Sequence, residues 1–353
     1  MKKELRWGFT TGACAAAAGK AALCGLMGHP DPAEEIDIPF PNGERHSLPI
    51  SFVRPKDGGG EAGVLKDAGD DPDITHGALV IAHVDWDKSG DITFIAGEGI
   101  GTVTKKGLSI PPGEPAITPG PKAMIRAALR EVTDRPVRIT LSIPGGREMA
   151  LKTYNPRLGI VNGLSVLGTT GRVRPFSCKA LTCSIDCELN VAGAAGVNAP
   201  VLVPGHIGER SARNHLALAA EQLIEVGNEW GFVLARLARH PFTHALLWGH
   251  PGKLAKLADG QWDTHSSRSG PPLDLVRRIG KLLNMPNLEG HKTTEGLFAA
   301  RKATEQHRLA EAVSTAIAHA ASAKAAGEIQ FSVALVNMAG DILGTYGDMK
   351  PWR

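Results

Sequence analysis

Apolar and polar residues alternate through IDIPFPNGERHSLPI (36–50), a pattern that predicts two short strands turning at Asn42-Gly43, the dipeptide that most readily takes positive φ. Before it, an alanine-rich run predicts a helix over roughly 12–27, with Thr11 as its N-cap and Gly28 followed by Pro30 as its stop. Apolar runs at 78–84 and 91–96 predict two more strands. PGPKAMIRAALREVTD (119–134) predicts a helix with proline in its first turn, and PVRITLSIP (136–144) a strand. Helix, strands, helix, strand in that order make an α+β layer whose sheet is covered mainly on one side.

The pattern then changes. NPRLGIVNGLSVLGTTGRVRPFS (155–177) is glycine-rich and long for a passive link. APVLVPGHIGERSARNHLAL, QLIEVGNEWGFVLARLARH and THALLWGHPGKLAKLADG each place an apolar strand, a glycine turn and a helix in succession. Three such units mean parallel strands joined by helical crossovers, an α/β arrangement. A helical stretch from 271 to about 326 precedes a last strand, IQFSVALVNMAG (329–340). The expected domains are 1–195, α+β, and 196–353, α/β, as suits 353 residues.

Charge changes this picture little. Lys plus Arg number 39 and Asp plus Glu 36, a balance that argues against nucleic acid or an anionic membrane as partner. MKKELRWGFTTGACAAAAG lacks the apolar core of a secretory signal, and no run approaches about 18 apolar residues, so a cytoplasmic protein is expected. Five cysteines suit reduced thiols. Cys178, Cys183 and Cys187 form C-x4-C-x3-C on an expected helix, but no fourth ligand is spaced with them, and no protein-bound metal is expected.

Several blocks resemble, in order, the signatures of a known family: RWGFTTGACAAAAGKAAL, DAGDDPDITHG, GEGIGTVTKKGL, KTYNPRLGIVNGLSVLGTTG, GNEWGF and GHPGKLAKLADGQWDTHSSRSG. The family is CbiD, the cobalt-precorrin-5B C1-methyltransferases of anaerobic cobalamin synthesis. The resemblance implies methyl transfer from S-adenosylmethionine to C1 of a cobalt-containing, carboxylate-bearing tetrapyrrole, giving cobalt-precorrin-6A. It also implies an amino-terminal domain like the second domain of ribosomal protein S5 and a Rossmann-like carboxy-terminal domain. Two rival readings stay open at this point, a nicotinamide-dependent reductase and a non-catalytic tetrapyrrole carrier. Homo-oligomer formation is also open.

The candidate site residues follow from residue chemistry. Gly97-x-Gly99-x-Gly101 is one residue short of a dinucleotide fingerprint and no helix follows at once, so the loop 97–121 is read as presenting Lys105 and Lys106 to substrate carboxylates. Asp70, Asp71 and His76 are candidate proton acceptors or, in the plainer reading, turn formers. Thr10, Thr11, Thr169 and Thr170 sit in two TTG turns; Asn155, Arg157 and Arg172 share the second loop, where an arginine suits a carboxylate. At the expected carboxyl ends of the parallel strands stand Gly205, Gly208 and Glu209, then Gly227, Asn228 and Glu229, then Gly249, His250 and Lys253. Ligands of open α/β sheets bind at such ends, so these residues are the expected S-adenosylmethionine site, with Lys253 toward substrate. His265, among polar neighbours, is a further catalytic candidate.

Overall fold

A computed structural model describes residues 5–353 apart from 29–33, 89, 176 and 326. Pro30, the expected stop of the first helix, and the side chain of Cys178 lie outside the described residues. The chain divides into two compact units, one ending at Cys178 and one running from Lys179 to Arg353. Together they hold helices, antiparallel strands and parallel strands, a mixed α/β protein.

Unit 1 is organised by helix α1 (Thr11–Leu26), whose N-cap is Thr10, one residue earlier than expected. The Thr10 hydroxyl accepts from the Ala13 amide at 3.2 Å. Ala13 to Ala18 are fully buried, so small side chains, rather than an amphipathic stripe, make this helix a core element. Its closest neighbour is a glycine strand. Strands β1 (Glu35–Pro39), β2 (Arg45–Pro49), β3 (Phe52–Lys56) and β4 (Gly59–Leu65) follow α1 in the chain. A Cβ at Gly60 of β4 would stand 2.0 Å from the Ala22 carbonyl oxygen of α1, so helix and strand touch backbone to backbone. Replacing Gly60 by any larger residue would push them apart.

The hairpin β1–β2 forms as expected, but Gly43 alone takes positive φ, while Asn42 accepts from the Glu44 amide through its side chain. The two-residue turn of the type ascribed to Asn42-Gly43 instead joins β3 to β4, where Asp57 and Gly58 have φ of 47° and 76°. Strands β5 (Leu79–Trp86), β6 (Ile92–Ala96) and β7 (Val137–Ser142), with helix α2 (Pro119–Arg130), complete the layer. The sheet order is β3-β4-β5-β7-β6, antiparallel except for β6 beside β7. Alternate residues Val80, Ala82 and Val84, with Ile139 and Leu141, bury one face against α1 and against Ile125 and Leu129 of α2. The sheet is thus covered on the face that the alternation marks.

Unit 2 begins with α4 (Cys178–Ala194), since α3 (Gly146–Ala150) is the last helix of unit 1. Ile185, Leu189 and Ala192 of α4 pack into the unit 2 core, and the division falls after Cys178, the first residue of this helix, rather than at 195. The chain continues as β8 (Val201–Val203), α5 (His206–His215), β9 (Leu223–Glu225), α6 (Trp230–Leu237), β10 (His244–Gly249) and α7 (Pro251–Ala258). The expected long helical stretch resolves into α8 (Leu273–Leu282), α9 (Thr294–Ala299) and α10 (Ala303–Lys324), before β11 (Gln330–Val336) and β12 (Ile342–Tyr346). The order is β9-β8-β10-β11-β12, parallel except for the last strand, which was not expected and closes one edge antiparallel. Strands apolar on both faces explain the continuous apolar runs: Leu202, Leu247 and Val333 meet α6, α7 and α10, while Val203, Trp248 and Ala334 meet the α5 side. Among the described residues no helix is long and apolar enough to cross a membrane.

Candidate functional site

The stretch opening GEGIG is a crossing of three backbones. The Gly97 amide donates to Leu141 O, Ile143 N to Glu98 O and Leu164 N to Gly99 O, each at 2.8 Å. Gly99 has φ of +71°, and a Cβ there would stand 2.0 Å from Ile143 O; at Gly163 it would stand 2.3 Å from Gly99 O. Only glycine permits both the left-handed backbone and this approach. The crossing walls an open hollow of about 500 Å3, lined as well by Thr102 and by the exposed Glu98, Arg147, Glu148 and Asn162. Asn162 is itself left-handed, with φ of 66°. Among the described residues none of Glu98, Arg147, Glu148 and Asn162 has a side-chain hydrogen bond or ion pair. The sequence reading missed all four. Their signal is the pair of glycine turns at 97–101 and 145–146, of which the first fails as a dinucleotide fingerprint and the second carries no ligand-binding motif of its own.

Farther along the same loop the two lysines part company. Lys105 lies half-buried with its stem against Gly159 and its Nζ donating to the Arg157 carbonyl at 3.3 Å, whereas Lys106 is exposed. Arg157 also has further interactions, so it is held within the fold. Asn155 is buried, donating to Gly163 O at 3.0 Å and accepting from the Ser165 hydroxyl at 3.2 Å. Thr11 both donates to and accepts from the Leu167 backbone. Thr170 bonds the Arg172 backbone, and Thr169 beside it is exposed. These hydroxyls and amides brace the turns that carry them.

The acidic turn 67–77 behaves the same way. Asp67 pairs with Arg6, whose hydrogen bond holds that carboxyl down at about 2, and Asp70 accepts the Arg6 amide at 2.8 Å. Asp73 pairs with the buried Lys66 at 2.7 Å. His76 Nδ1 accepts from the Ala68 amide at 3.1 Å, and Asp71 is engaged within the chain as well. Asp70 and His76 are thus engaged in the turn's own hydrogen bonds, in keeping with the turn-forming reading. What the turn does is fix residues 6–9, through the bridge between Trp7 and Gly69 and the contact of Gly8 with Ala68. Phe9 in turn pairs with Arg172. The Arg172 guanidinium lies 5.3 Å from the Phe9 ring and 5.8 Å from that of Trp7, and its buried Nε has no hydrogen-bond partner among the described residues. Trp7 beside this cation is 47% exposed.

In unit 2 the expected glycine turns do fall at the carboxyl ends of β8, β9 and β10, beside the β8–β10 pair where the strand order reverses. Of the expected polar side chains there, all but that of Glu229 have a partner among the described residues of the unit. Lys253 donates to Pro204 O at 3.2 Å, and burial pushes its ammonium down while Glu225 opposes that shift. His250 Nδ1 accepts from the Gly252 amide at 2.9 Å, which puts its proton on Nε2, 2.8 Å from Glu295. Glu209 accepts from Arg213 at 3.2 Å. Asn228 accepts from the buried Thr264 at 3.1 Å, and Glu229 bridges to Asp263 through the backbone. Gly249 lies under the Pro204 ring, and Gly208 under Trp248 O. His265 is exposed, with Nδ1 against Ser267 at 2.8 Å, and its loop is held by buried Lys256, which donates to Thr264 O and Ser269 Oγ. Glu225 and Glu295, absent from the expected set, lie at this edge because they neighbour the turns in space. Cys183 is exposed and Cys187 half-buried on α4, and no group of three or more His, Cys, Asp or Glu among the described residues is placed to hold a metal.

A family model described as CbiD matches residues 1–175, nearly the extent of unit 1. The cobalt-precorrin-5B C(1)-methyltransferase of Syntrophotalea carbinolica is 51% identical over 350 residues, covering 99% of both chains. Proteins of the same name from Desulfitobacterium hafniense and Rhodospirillum rubrum are each 40% identical, covering 95% and 98% of this chain and 88% and 98% of their own. Among solved structures, the cobalamin biosynthesis protein (cbiD) of Archaeoglobus fulgidus is 28% identical, with 75% of this chain and 83% of that one covered at a TM-score of 0.40. Sharing half its residues with a curated relative from end to end, the chain belongs to the CbiD family.

Proposed function

We infer that this protein is a cobalt-precorrin-5B C1-methyltransferase that moves the methyl group of S-adenosylmethionine onto C1 of the macrocycle, giving cobalt-precorrin-6A. The observation that carries the reading is the 51% identity, spread over 99% of both chains, with a protein of that name. Within it, unit 1 is like the second domain of ribosomal protein S5, and unit 2 is Rossmann-like, as the parallel order β9-β8-β10-β11 supports.

The chemistry asks mainly for alignment. The donor supplies an electrophilic methyl carbon on a sulfonium; the C–S bond breaks with its electron pair going to sulfur, which leaves as a neutral thioether, so the leaving group needs no proton. What the protein contributes is position, because holding the reacting carbons about 3–3.5 Å apart and in line supplies much of the rate. On the acceptor side, the Arg172 guanidinium beside the exposed Trp7 suits a flat, carboxylate-bearing macrocycle, with a carboxylate on the cation and the ring system on the indole. Lys106, exposed, serves a second carboxylate. On the donor side two places compete: the carboxyl edge of unit 2, favoured by topology, and the cavity of unit 1, favoured by charge.

The test is to incubate the purified protein with cobalt-precorrin-5B and methyl-labelled donor. One labelled methyl at C1 is the expected product. Binding of the macrocycle without transfer of label would point to the carrier reading, and reduction of the macrocycle by a nicotinamide cofactor would point to the reductase.

A further inference from the structure

Resting on that reading of the reaction, we propose that the unit 1 cavity is the binding site of the sulfonium donor, with Glu98 and Glu148 recognising its cationic and hydroxyl-bearing parts and Arg147 its carboxylate. The cavity, about 500 Å3, falls in the range of about 300–1,000 Å3 that holds ligands of this size. Its charged side chains are two carboxylates and one guanidinium. S-adenosylmethionine carries the opposite set: a sulfonium, an ammonium and one carboxylate, with a ribose diol that a carboxylate also binds well. The two sets match in number and sign, and the sum is one negative charge facing one positive.

The same count disfavours the other ligand. A macrocycle whose charged substituents are all carboxylates would set them against Glu98 and Glu148. The acceptor's charges suit Arg172 and Lys106, and the donor's suit the cavity. Availability favours the cavity over the unit 2 edge, although Glu229 and His206 at that edge also have no side-chain partner among the described residues. There Lys253, His250, Glu209 and Asn228 each have a partner inside the unit. Here Glu98, Arg147, Glu148 and Asn162 have none among the described residues. The walls are rigid for a physical reason already given, since Gly99, Gly146 and Gly163 leave no room for a Cβ where their backbones cross. The backbone that carries these exposed side chains is therefore fixed in advance, and the ordering cost of binding falls on the side chains themselves.

Calorimetric titration of the full-length protein with S-adenosylmethionine and with S-adenosylhomocysteine, which keeps the ammonium, carboxylate and ribose but lacks the sulfonium charge, tests the assignment. Glu98→Gln and Glu148→Gln keep the side-chain shape. Each is expected to weaken S-adenosylmethionine about tenfold or more, and at least one to narrow its advantage over the thioether. Arg147→Ala is expected to weaken both ligands alike, because both carry the carboxylate. Lys253→Ala is expected to leave both affinities unchanged. Wild-type affinity in all three cavity variants, or loss in Lys253→Ala alone, would overturn the proposal. Should a variant fail to fold, hydrogen exchange on the wild-type protein decides: donor binding should protect residues 97–101 and 146–149, and protection confined to 204–209, 225–229 and 249–253 would refute the site. Methyl transfer is scored separately. Wild-type protein that binds the donor in the cavity yet methylates nothing would sink the function and spare the site, whereas methylation with protection only at the unit 2 edge would do the reverse.

Discussion

The two units both end strands in glycine turns flanked by acids, lysines and an asparagine, and by composition the turns at 97–101 and 145–146 look no more functional than those at 205, 227 and 249. They differ in what the fold leaves over. In unit 2 most polar side chains at the turns are bound to another part of the same unit, Lys253 to Pro204, His250 to Glu295 and Asn228 to Thr264, while Glu229 and His206 have no partner among the described residues. In unit 1 the glycines take up the close backbone contacts themselves, and Glu98, Arg147 and Glu148 stand exposed without a partner among the described residues. Topology says where a ligand is able to sit; hydrogen-bond saturation says which side chains are available to meet it.

The contrast can be pressed hardest where unit 1 does bury charge for stability. Asp73→Ala would strand the Lys66 ammonium, which is 1% exposed, and is expected to cost about 3–5 kcal/mol in denaturant unfolding of unit 1. A cost below about 1 kcal/mol would show that Lys66 finds another acceptor. Next, Gly99→Ala adds a left-handed alanine and a backbone clash at 2.0 Å, for an expected loss of about 3 kcal/mol. At the unit 2 edge Gly205→Ala has φ of +143° but no atom nearer than 3.6 Å, so about 1–2 kcal/mol is expected. Equal losses at the two glycines would erase the distinction between a packed wall and an open turn. Lys256→Met removes the two hydrogen bonds that hold the loop carrying His265, an expected cost of about 1–2 kcal/mol with faster hydrogen exchange over 264–269.

Acid sharpens the comparison more gently. Arg6 holds Asp67 at about 2, and Arg45, helped by Lys20, holds Glu131 at about 2, against ordinary values of 3.8 and 4.5. Folded values below the unfolded ones mean that this stabilisation is complete above about pH 4.5 and is lost as pH falls toward about 2. Both pairs belong to unit 1, so its urea midpoint should fall before that of unit 2 on acidification, a drop read from hydrogen exchange in each unit. The smallest effect concerns thiols. Burial pushes Cys14 up to about 12, while Cys183 is exposed, so iodoacetamide on the native protein should label Cys183 and spare Cys14. Early labelling of Cys14 would mean that α1 opens readily.

Much of the fold was legible because its cues are local. The apolar runs of β8, β9, β10 and β11 and the alanine run of α1 announce themselves, and strand–glycine–helix succession implies parallel pairing. The hairpin β3–β4 escaped because Asp57-Gly58 sits beside Gly59 and Gly60, and a run of glycines looks like a loop. A side chain is excluded at Gly60 by α1 and at Gly59 by Val84 and His83 of β5, a fact of tertiary packing. The antiparallel β12 escaped for the opposite reason, having weak alternation and a central glycine, Gly344, that packs against Ala310 of α10. Site residues were harder still. Residue type marked Asp70, His76, Thr11 and Asn155 as chemically able, but whether an able group is already bonded depends on partners such as Arg6, Ala68, Leu167 and Gly163, which no spacing rule brings together.

The unexpected β12 has a consequence for how the molecule survives in a crowded solution. A parallel sheet of apolar strands is a template for lateral growth wherever a long rim of unpaired amides stays open. On one side β12 turns back along β11 and occupies that rim; on the other the outermost strand, β9, spans only Leu223–Glu225. β12 is then the open edge on its own side, so with five residues there and three in β9 the sheet offers a second chain only short rims to pair with.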